Sequence, residues 1–226
     1  IVAALLAPWA IVGYARRRLG VGAVDGGYRV AGDTVDLPLP VLDGVVSFER
    51  VLARRRSIRD YRGDPLAIGE LSQILWASYG VSETRYGFKT APSAGATYPL
   101  NIYAVVYPRG VLVDGGYLAE GSYLYEPEAH RLRLVKRGDL ARELYEACLE
   151  QEWVLKAKAA IVVTITYERV TRRYGDRGVR YALIEVGHVG QNIYLQATAL
   201  GLATVAIGAF HDDWVRDIIG APQWEH

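Results

Sequence analysis

The chain has 226 residues, of which 51% are hydrophobic, and a formal net charge of +1. That is enough apolar material for a substantial core, and there is no long-range field that would recruit nucleic acid. The single cysteine, Cys148, excludes an intrachain disulfide and fits a reducing compartment, while four histidines without H-E-x-x-H or paired-cysteine spacing give no metal site.

Residues 1–20 form an apolar segment followed by a basic cluster. Ile1 to Ala15 carries no charge, and Arg16-Arg17-Arg18 follows. The chain contains no methionine, so Ile1 is not expected to be a translation start. A full membrane span needs about 20 apolar residues, so the run is short, and the expectation is a helix packed on the protein body or on a partner chain. The rival reading is the tail of an anchor, with membrane contact through residues 1–18 and the arginines keeping the rest cytoplasmic. The chain is expected to be cytoplasmic in both cases. Residues 21–44 are rich in Gly, Val, Asp and Pro without a helical period. They read as an extended linker with a hairpin around Asp25-Gly26-Gly27. Residues 45–226 form the main domain.

Val45 to Arg54 reads as a short helix. It runs into Arg54-Arg55-Arg56-Ser57-Ile58-Arg59-Asp60-Tyr61, four arginines and a serine within six residues. Arginine forks match phosphate oxygens, which points to a pocket for a phosphorylated ligand. The competing reading is a solvated helix end, where arginine offsets the macrodipole. Asp64-Pro65 is expected to open the next helix, with Asp64 as N-cap, Leu71, Ile74, Leu75 and Ser78 at helical spacing, and Gly80 as the stop. Ala91-Pro92-Ser93-Ala94-Gly95-Ala96-Thr97-Tyr98-Pro99-Leu100 cannot be a helix interior. It reads as a tight loop of small side chains that lets backbone approach a ligand.

Ile102 to Tyr107 is then a buried strand, and Ser122–Tyr125 with Arg131–Val135 a hairpin across Glu126–Ala129. Asp139 caps a helix from Leu140 to Leu149, in which Cys148 is a core residue. Gln151 to Lys158 is a short helix. Ala160 to Tyr167 is a central strand, β-branched and nearly all apolar. Arg180 to Leu200 is the longest helical pattern. Leu183, Ile184, Gly187, His188, Gln191 and Leu195 lie on one side of it, and Gly187, Gly190 and Ala197 would let another helix approach closely. His188 reads as a satisfied core residue. Ala203 to Ile207 is a strand, and Asp212 or Asp213 caps a last helix ending at Gly220. Strands and helices mix without βαβ alternation, and no G-x-G-x-x-G follows a strand. The pattern suits an α+β sheet flanked by helices rather than a Rossmann domain.

Several segments together resemble the nitroreductase-like FMN oxidoreductases, and within them the SagB-type dehydrogenase branch. They are Arg56-Ser57-Ile58-Arg59-Asp60-Tyr61, Pro65-Leu66, Glu70-Leu71, Leu75-Trp76-Ala77, Pro92 to Pro99, and Arg180 to His188 continuing into Gln191-Asn192. The resemblance implies a nitroreductase-like fold, a central mostly antiparallel sheet flanked by helices, and a homodimer with the flavin in a groove between two chains. The implied cofactor is FMN, with NAD(P)H as electron donor and a small molecule or peptide as substrate. Arg55, Arg56, Ser57 and Arg59 would hold the FMN phosphate, ribityl chain and pyrimidine edge. Pro92, Ser93, Ala94 and Gly95 would lie against the ring from the partner chain. Gly208-Ala209 would aim backbone N–H at flavin N5, where the residues alone suggest an ordinary strand-end turn. Gln191 would hydrogen-bond the flavin or staple helices.

SagB-type enzymes that oxidise peptide azolines to azoles carry a Lys-Tyr pair thought to serve proton abstraction; the matching pair here is Arg173-Tyr174. Arginine stays protonated and cannot be a base, but it could tune Tyr174 or bind an anionic substrate. The expected activity is two-electron transfer between a reduced nicotinamide and an organic acceptor. The alternatives are azoline oxidation and a non-catalytic flavin- or nucleotide-binding module.

Overall fold

The computed structural model describes residues 2–8 and 28–226. In chain order the strands and helices are β1 (Val2–Pro8), β2 (Arg29–Ala31), β3 (Thr34–Asp36), α1 (Phe48–Arg54), β4 (Leu66–Ala67), α2 (Ile68–Tyr79), β5 (Val81–Glu83), β6 (Phe88–Lys89) and β7 (Leu100–Val106). They continue as β8 (Val111–Val113), β9 (Gly116–Tyr117), β10 (Gly121–Glu126), β11 (Arg131–Arg137), α3 (Ala141–Ala147), α4 (Trp153–Lys156), β12 (Ala159–Ile165), α5 (Glu168–Tyr174), α6 (Arg177–Leu200), β13 (Leu202–Ile207) and α7 (Asp212–Ile219).

Eight strands form the central sheet in the order β13-β1-β12-β7-β10-β11-β3-β2. Every pairing in it is antiparallel. The two-residue period of β7 and β12 divides their side chains between two cores. Ile102, Ala104, Val106, Ile161, Val163 and Ile165 face one core, with Leu71, Ile74 and Leu75 of α2 and Val186 and Val189 of α6. Tyr103, Val105, Tyr107, Ala160 and Val162 face the other, with Leu144 of α3, the adjoining Cys148 and Val215 of α7. Both faces are covered, which is why β12 reads as one unbroken apolar run. Cys148 is 2% exposed, and burial pushes its thiol up to about 11.

The last residues return to the sheet. Ile165 and His226 exchange backbone hydrogen bonds of 2.6 and 2.9 Å. The buried Glu225 carboxylate accepts from Tyr103 Oη at 3.0 Å and Thr164 Oγ1 at 2.5 Å.

α6 presents Ala182, Glu185, Val186, Val189, Ile193 and Ala197 inward, at spacings of three and four residues. It lies against α2 and stops at Gly201, whose φ of +73° is the left-handed cap that glycine adopts without strain.

Three expectations are corrected, for the N-terminal segment, Asp64 and His188. Val2–Pro8 is a strand between β12 and β13, not a helix. Among the described residues no helix is long and apolar enough to cross a membrane. Arg16–Arg18 and the expected Asp25-Gly26-Gly27 hairpin lie outside the described residues. Within 28–44 the hairpin is β2–β3, turning at Gly32-Asp33 and extending the sheet edge. Asp64 does not cap α2: Leu66 and Ala67 first pair in parallel with Val111 and Leu112, and the helix starts at Ile68, where the Glu70 carboxylate accepts from Ala67 N–H at 2.8 Å. His188 is half-buried, not a core residue.

Leu71 is fully buried between α2 and the sheet, whereas Leu42 is 75% exposed. Leu71→Ala is expected to lower unfolding stability by about 2–5 kcal/mol, and Leu42→Ala by no more than about 0.5, in urea titrations of the two variants.

Candidate functional site

Two groups of residues come together at different points along α6. The first is the arginine segment. α1 opens at Ser47, whose Oγ accepts from Arg50 N at 3.4 Å, and closes at Arg55. Beyond it the chain is tied to β13 by Ile58 N–H donating to the Thr204 carbonyl at 2.9 Å. Ser57 Oγ lies 2.8 Å from Tyr194 Oη, which also accepts from Ala206 N at 2.8 Å. The Arg55 guanidinium stacks 5.3 Å from the Tyr194 ring centre and that of Arg59 5.1 Å from Trp153. Arg56 turns back on its own helix end, donating to Ala53 O at 3.2 Å and Arg55 O at 2.7 Å. For Arg56, then, the helix-end reading describes the geometry. Gly208 and Ala209 emerge exposed from the same end of β13, and a Cβ built on Gly208 would meet nothing within 4 Å.

The second group is the Pro92–Gly95 loop. Ala94–Ala96 forms a short 3-10 turn, with positive φ at Gly95 (+59°), Ala96 (+51°) and Tyr98 (+45°). His188 Nδ1 donates to Pro92 O at 3.2 Å. Arg173 donates to Gly95 O at 3.2 Å, and its guanidinium lies 5.5 Å from the Tyr174 ring centre. A side chain at Gly95 would collide with Tyr174 Oη, so a glycine is needed there for space as well as for φ. Tyr174 itself meets Tyr181 edge-on at 5.1 Å. A cavity of about 290 Å³ opens among Pro92, Ser93, Ala94, Ile184, Glu185 and His188.

Beneath this loop lies a network that residue types alone do not announce. Glu185 is 2% exposed and Tyr79 1%. Tyr79 Oη donates to Glu185 Oε1 at 2.5 Å and accepts from Leu100 N at 3.3 Å. Ser93 also hydrogen-bonds the Glu185 carboxyl, and its Oγ accepts from Tyr98 N at 2.9 Å. Burial pushes the Glu185 carboxyl above its ordinary value, against the pull of the Ser93 and Tyr79 hydrogen bonds. Burial, then the neighbouring Glu185 charge, pushes the Tyr79 hydroxyl up as well. A long-range pairing of residues 79 and 185 leaves no periodic trace; the one local hint was an acid among the inward-facing positions of α6.

Along α6, Tyr181, which meets Tyr174, lies about 20 Å from Tyr194, and His188, which holds Pro92, about 9 Å from it, at 1.5 Å per residue. The structure thus brings Arg55, Ser57, Gly208 and Ala209 to one region and Pro92–Gly95, Arg173 and Tyr174 to another. Between them runs an exposed stripe of α6 carrying Leu183, Ile184, Gly187 and Gln191. Among the described residues nothing fills the space beside Gly187 and Gly190, where a built Cβ meets nothing within 4 Å.

The donor set fits a flavin mononucleotide. Among the described residues Arg55, Arg56 and Arg59 form no ion pair, so their positive charge is uncompensated by protein carboxylates, as a phosphate site requires.

The fold is an α+β one, an antiparallel sheet covered by helices on both faces. The sequence signature of the nitroreductase family matches residues 52–226, and the chain belongs to that family. A Methanocaldococcus jannaschii protein provisionally named as a nitroreductase is 48% identical over 188 residues, covering 83% of this chain and 91% of its own. A Ralstonia eutropha nitroreductase-type structure superposes with a TM-score of 0.73 at 22% identity, covering 97% of this chain and 92% of that one. The Escherichia coli microcin B17-processing protein McbC is 24% identical over 160 residues, covering 70% of this chain and 58% of its own length.

A carboxyl whose pKa is raised by burial adds stability at acid pH that is lost as pH rises from about 4.5 through its raised value in the fold. Glu185→Gln mimics the neutral form and is expected to lose less thermal stability than wild type between acid and neutral pH. Superimposable melting-temperature profiles would show that Glu185 ionises in the fold without cost.

Proposed function

We propose that the protein is an FMN-dependent oxidoreductase of SagB type, working as a homodimer. It transfers two electrons between a reduced nicotinamide and an organic acceptor. The observation that carries this reading is the separation of the two residue groups along α6 with an exposed apolar stripe between them. Packing that stripe against the same stripe of a second copy, in antiparallel fashion, would bring the arginine segment of one chain to the Pro92–Gly95 loop of the other. Leu183 and Ile184, 55% and 50% exposed, would then be buried.

Bound there, FMN would supply the two-electron carrier that no side chain provides. Arg55 and Arg59 would neutralise its phosphate, their guanidinium planes already oriented by Tyr194 and Trp153. Ser57 would add a short donor. The backbone of Gly208-Ala209, with no side chain in the way at Gly208, would face the ring edge where negative charge develops. The Pro92–Gly95 loop would exclude water from the ring.

A second reading, oxidation of peptide azolines, is favoured by one observation: Arg173 and Tyr174 touch the loop expected at the ring, as a proton-abstracting pair would. The likeness to McbC supports it at the level of the family. Arg173 donates to a carbonyl there and cannot take a proton, so the reductase reading is preferred.

The purified protein is expected to be yellow and to release FMN rather than FAD on heating; a colourless protein that ignores added FMN would overturn the cofactor. Arg55→Ala is expected to weaken FMN binding about ten- to a hundred-fold, as lost charge-assisted hydrogen bonds do, and riboflavin binding far less. Equal losses for both flavins would mean that Arg55 acts through folding.

Tyr174→Phe separates the two activities. NAD(P)H-driven quinone reduction should stay within a few-fold of wild type, because a nicotinamide donor needs no protein base. A loss of about a hundred-fold, with flavin content and melting temperature intact, would favour the proton-abstracting enzyme.

A further inference from the structure

A second and larger cavity, about 610 Å³, opens between the β10–β11 turn and the chain from Gly87 to Ile102. It is separate from the residues proposed to hold flavin. Tyr79 lines it, and the Tyr79 hydroxyl reaches through to Glu185, which lines the smaller cavity at Pro92–Ala94. Leu100, Ile102 and Leu124 give it an apolar wall, and the Tyr98 ring another.

Three cations line the same space. The Lys89 side chain is only 10% exposed, and its carboxylate partner, Glu128 at 3.3 Å, is 73% exposed. The Lys89 ammonium lies 4.5 Å from the Tyr79 ring centre and 5.2 Å from that of Tyr98. Arg169 donates to the Tyr98 carbonyl at 3.3 Å and forms no ion pair among the described residues. The third cation, Arg131, is already held by Glu126 at 2.6 Å. Burial lowers the Lys89 pKa; Glu128 and, more weakly, the Glu185 charge oppose the shift and the Arg169 charge adds to it. Among the described residues the one ion-pair partner of Lys89 is a solvent-exposed carboxylate and Arg169 has none, and a largely buried charge of that kind is stabilised by a further anion.

From this geometry we infer that the cavity binds a small organic carboxylate, its charged group between Lys89 and Arg169 and its flat apolar body against Tyr98 and the Leu100–Ile102 wall. The ligand replaces Glu128 as the partner of Lys89. A bare phosphate would satisfy the cations but leave the apolar walls uncovered, so the body of the ligand contributes to affinity. The site also touches the Pro92–Gly95 loop. Tyr98 N–H holds Ser93 Oγ, and Tyr98 Oη accepts from Lys89 N at 3.1 Å. A ligand seated on Tyr98 therefore restrains the loop from behind. None of this depends on the flavin reading.

Calorimetric titration of the purified protein with benzoate, benzamide and inorganic phosphate tests it. Benzoate is expected to bind saturably, with one site per chain. Benzamide, of the same shape without the charge, and phosphate, charged without the ring, should each bind at least about tenfold more weakly. Lys89→Gln and Arg169→Gln should each weaken benzoate by about tenfold, the loss of one charge-assisted contact. Glu128→Gln, a surface change with no effect on folding, should tighten benzoate by removing the competing carboxylate. No benzoate binding at millimolar concentration overturns the proposal. So do equal affinities for benzoate and benzamide, or for benzoate and phosphate. So does displacement of benzoate by added FMN, or benzoate affinity unmoved by Glu128→Gln.

Discussion

The Glu185 carboxyl is the polar group on which the arrangement of this protein turns. A carboxyl taken out of water is costly unless its hydrogen bonds are met. Here they are met by Tyr79 from the end of α2 and by Ser93 from the loop before β7. One side chain on α6 thereby fixes a second helix and a loop that local preference would not hold. Ala96 and Tyr98 sit in the left-handed region, where a residue with a side chain costs of order 1–3 kcal/mol. The hydrogen bonds of Ser93, Tyr98 and Leu100 grip both ends of that strained stretch.

α6 then acts as a ruler. Its inward face is committed to the core, so whatever it presents outward is spaced by helix geometry alone. Tyr194 collects the arginine segment near one end, and Tyr181 and His188 collect the proline loop towards the other. A straight helix keeps the two groups at a fixed spacing, and the proposed homodimer is the arrangement that would join them across two chains. That is also why the apolar outward residues Leu183 and Ile184 are not a folding defect. Among the described residues nothing covers them, and the proposed dimer would bury them.

Much of this was legible in the sequence because special residues have few uses. Pro92, Gly95 and Pro99 cannot sit in a helix or a central strand, and β12 and α6 have periods that admit one reading. The family and the antiparallel α+β sheet followed from such segments. What was not legible depended on partners distant in the chain. Val2–Pro8 has strands on both sides, and its unbroken apolar run looks like a helix or an anchor when read alone. Asp64-Pro65 has the chemistry of a helix start, but parallel pairing of Leu66 and Ala67 with Val111 and Leu112 took those residues first. Arg56 matches a phosphate ligand by type, and one of its guanidinium nitrogens also ties back to the end of α1, a contact the residue type does not announce. Tyr79, Lys89 and Arg169 carried no signal at all, because a buried pair and a cationic cavity exist only once α2, α5 and the β10–β11 turn meet.

The lone Cys148 has a consequence of a different kind. Its thiol lies under α3 and α7 and is pushed up to about 11 by burial, so almost none of it is thiolate near neutrality, and the thiolate is the form that alkylating reagents attack. In the folded chain it is chemically silent. It becomes reactive only when the layer of α3 and α7 lifts from the sheet. The rate at which a maleimide or an oxidant finds Cys148 is therefore a built-in clock for the opening of that one layer, on the side of the sheet away from α2 and α6.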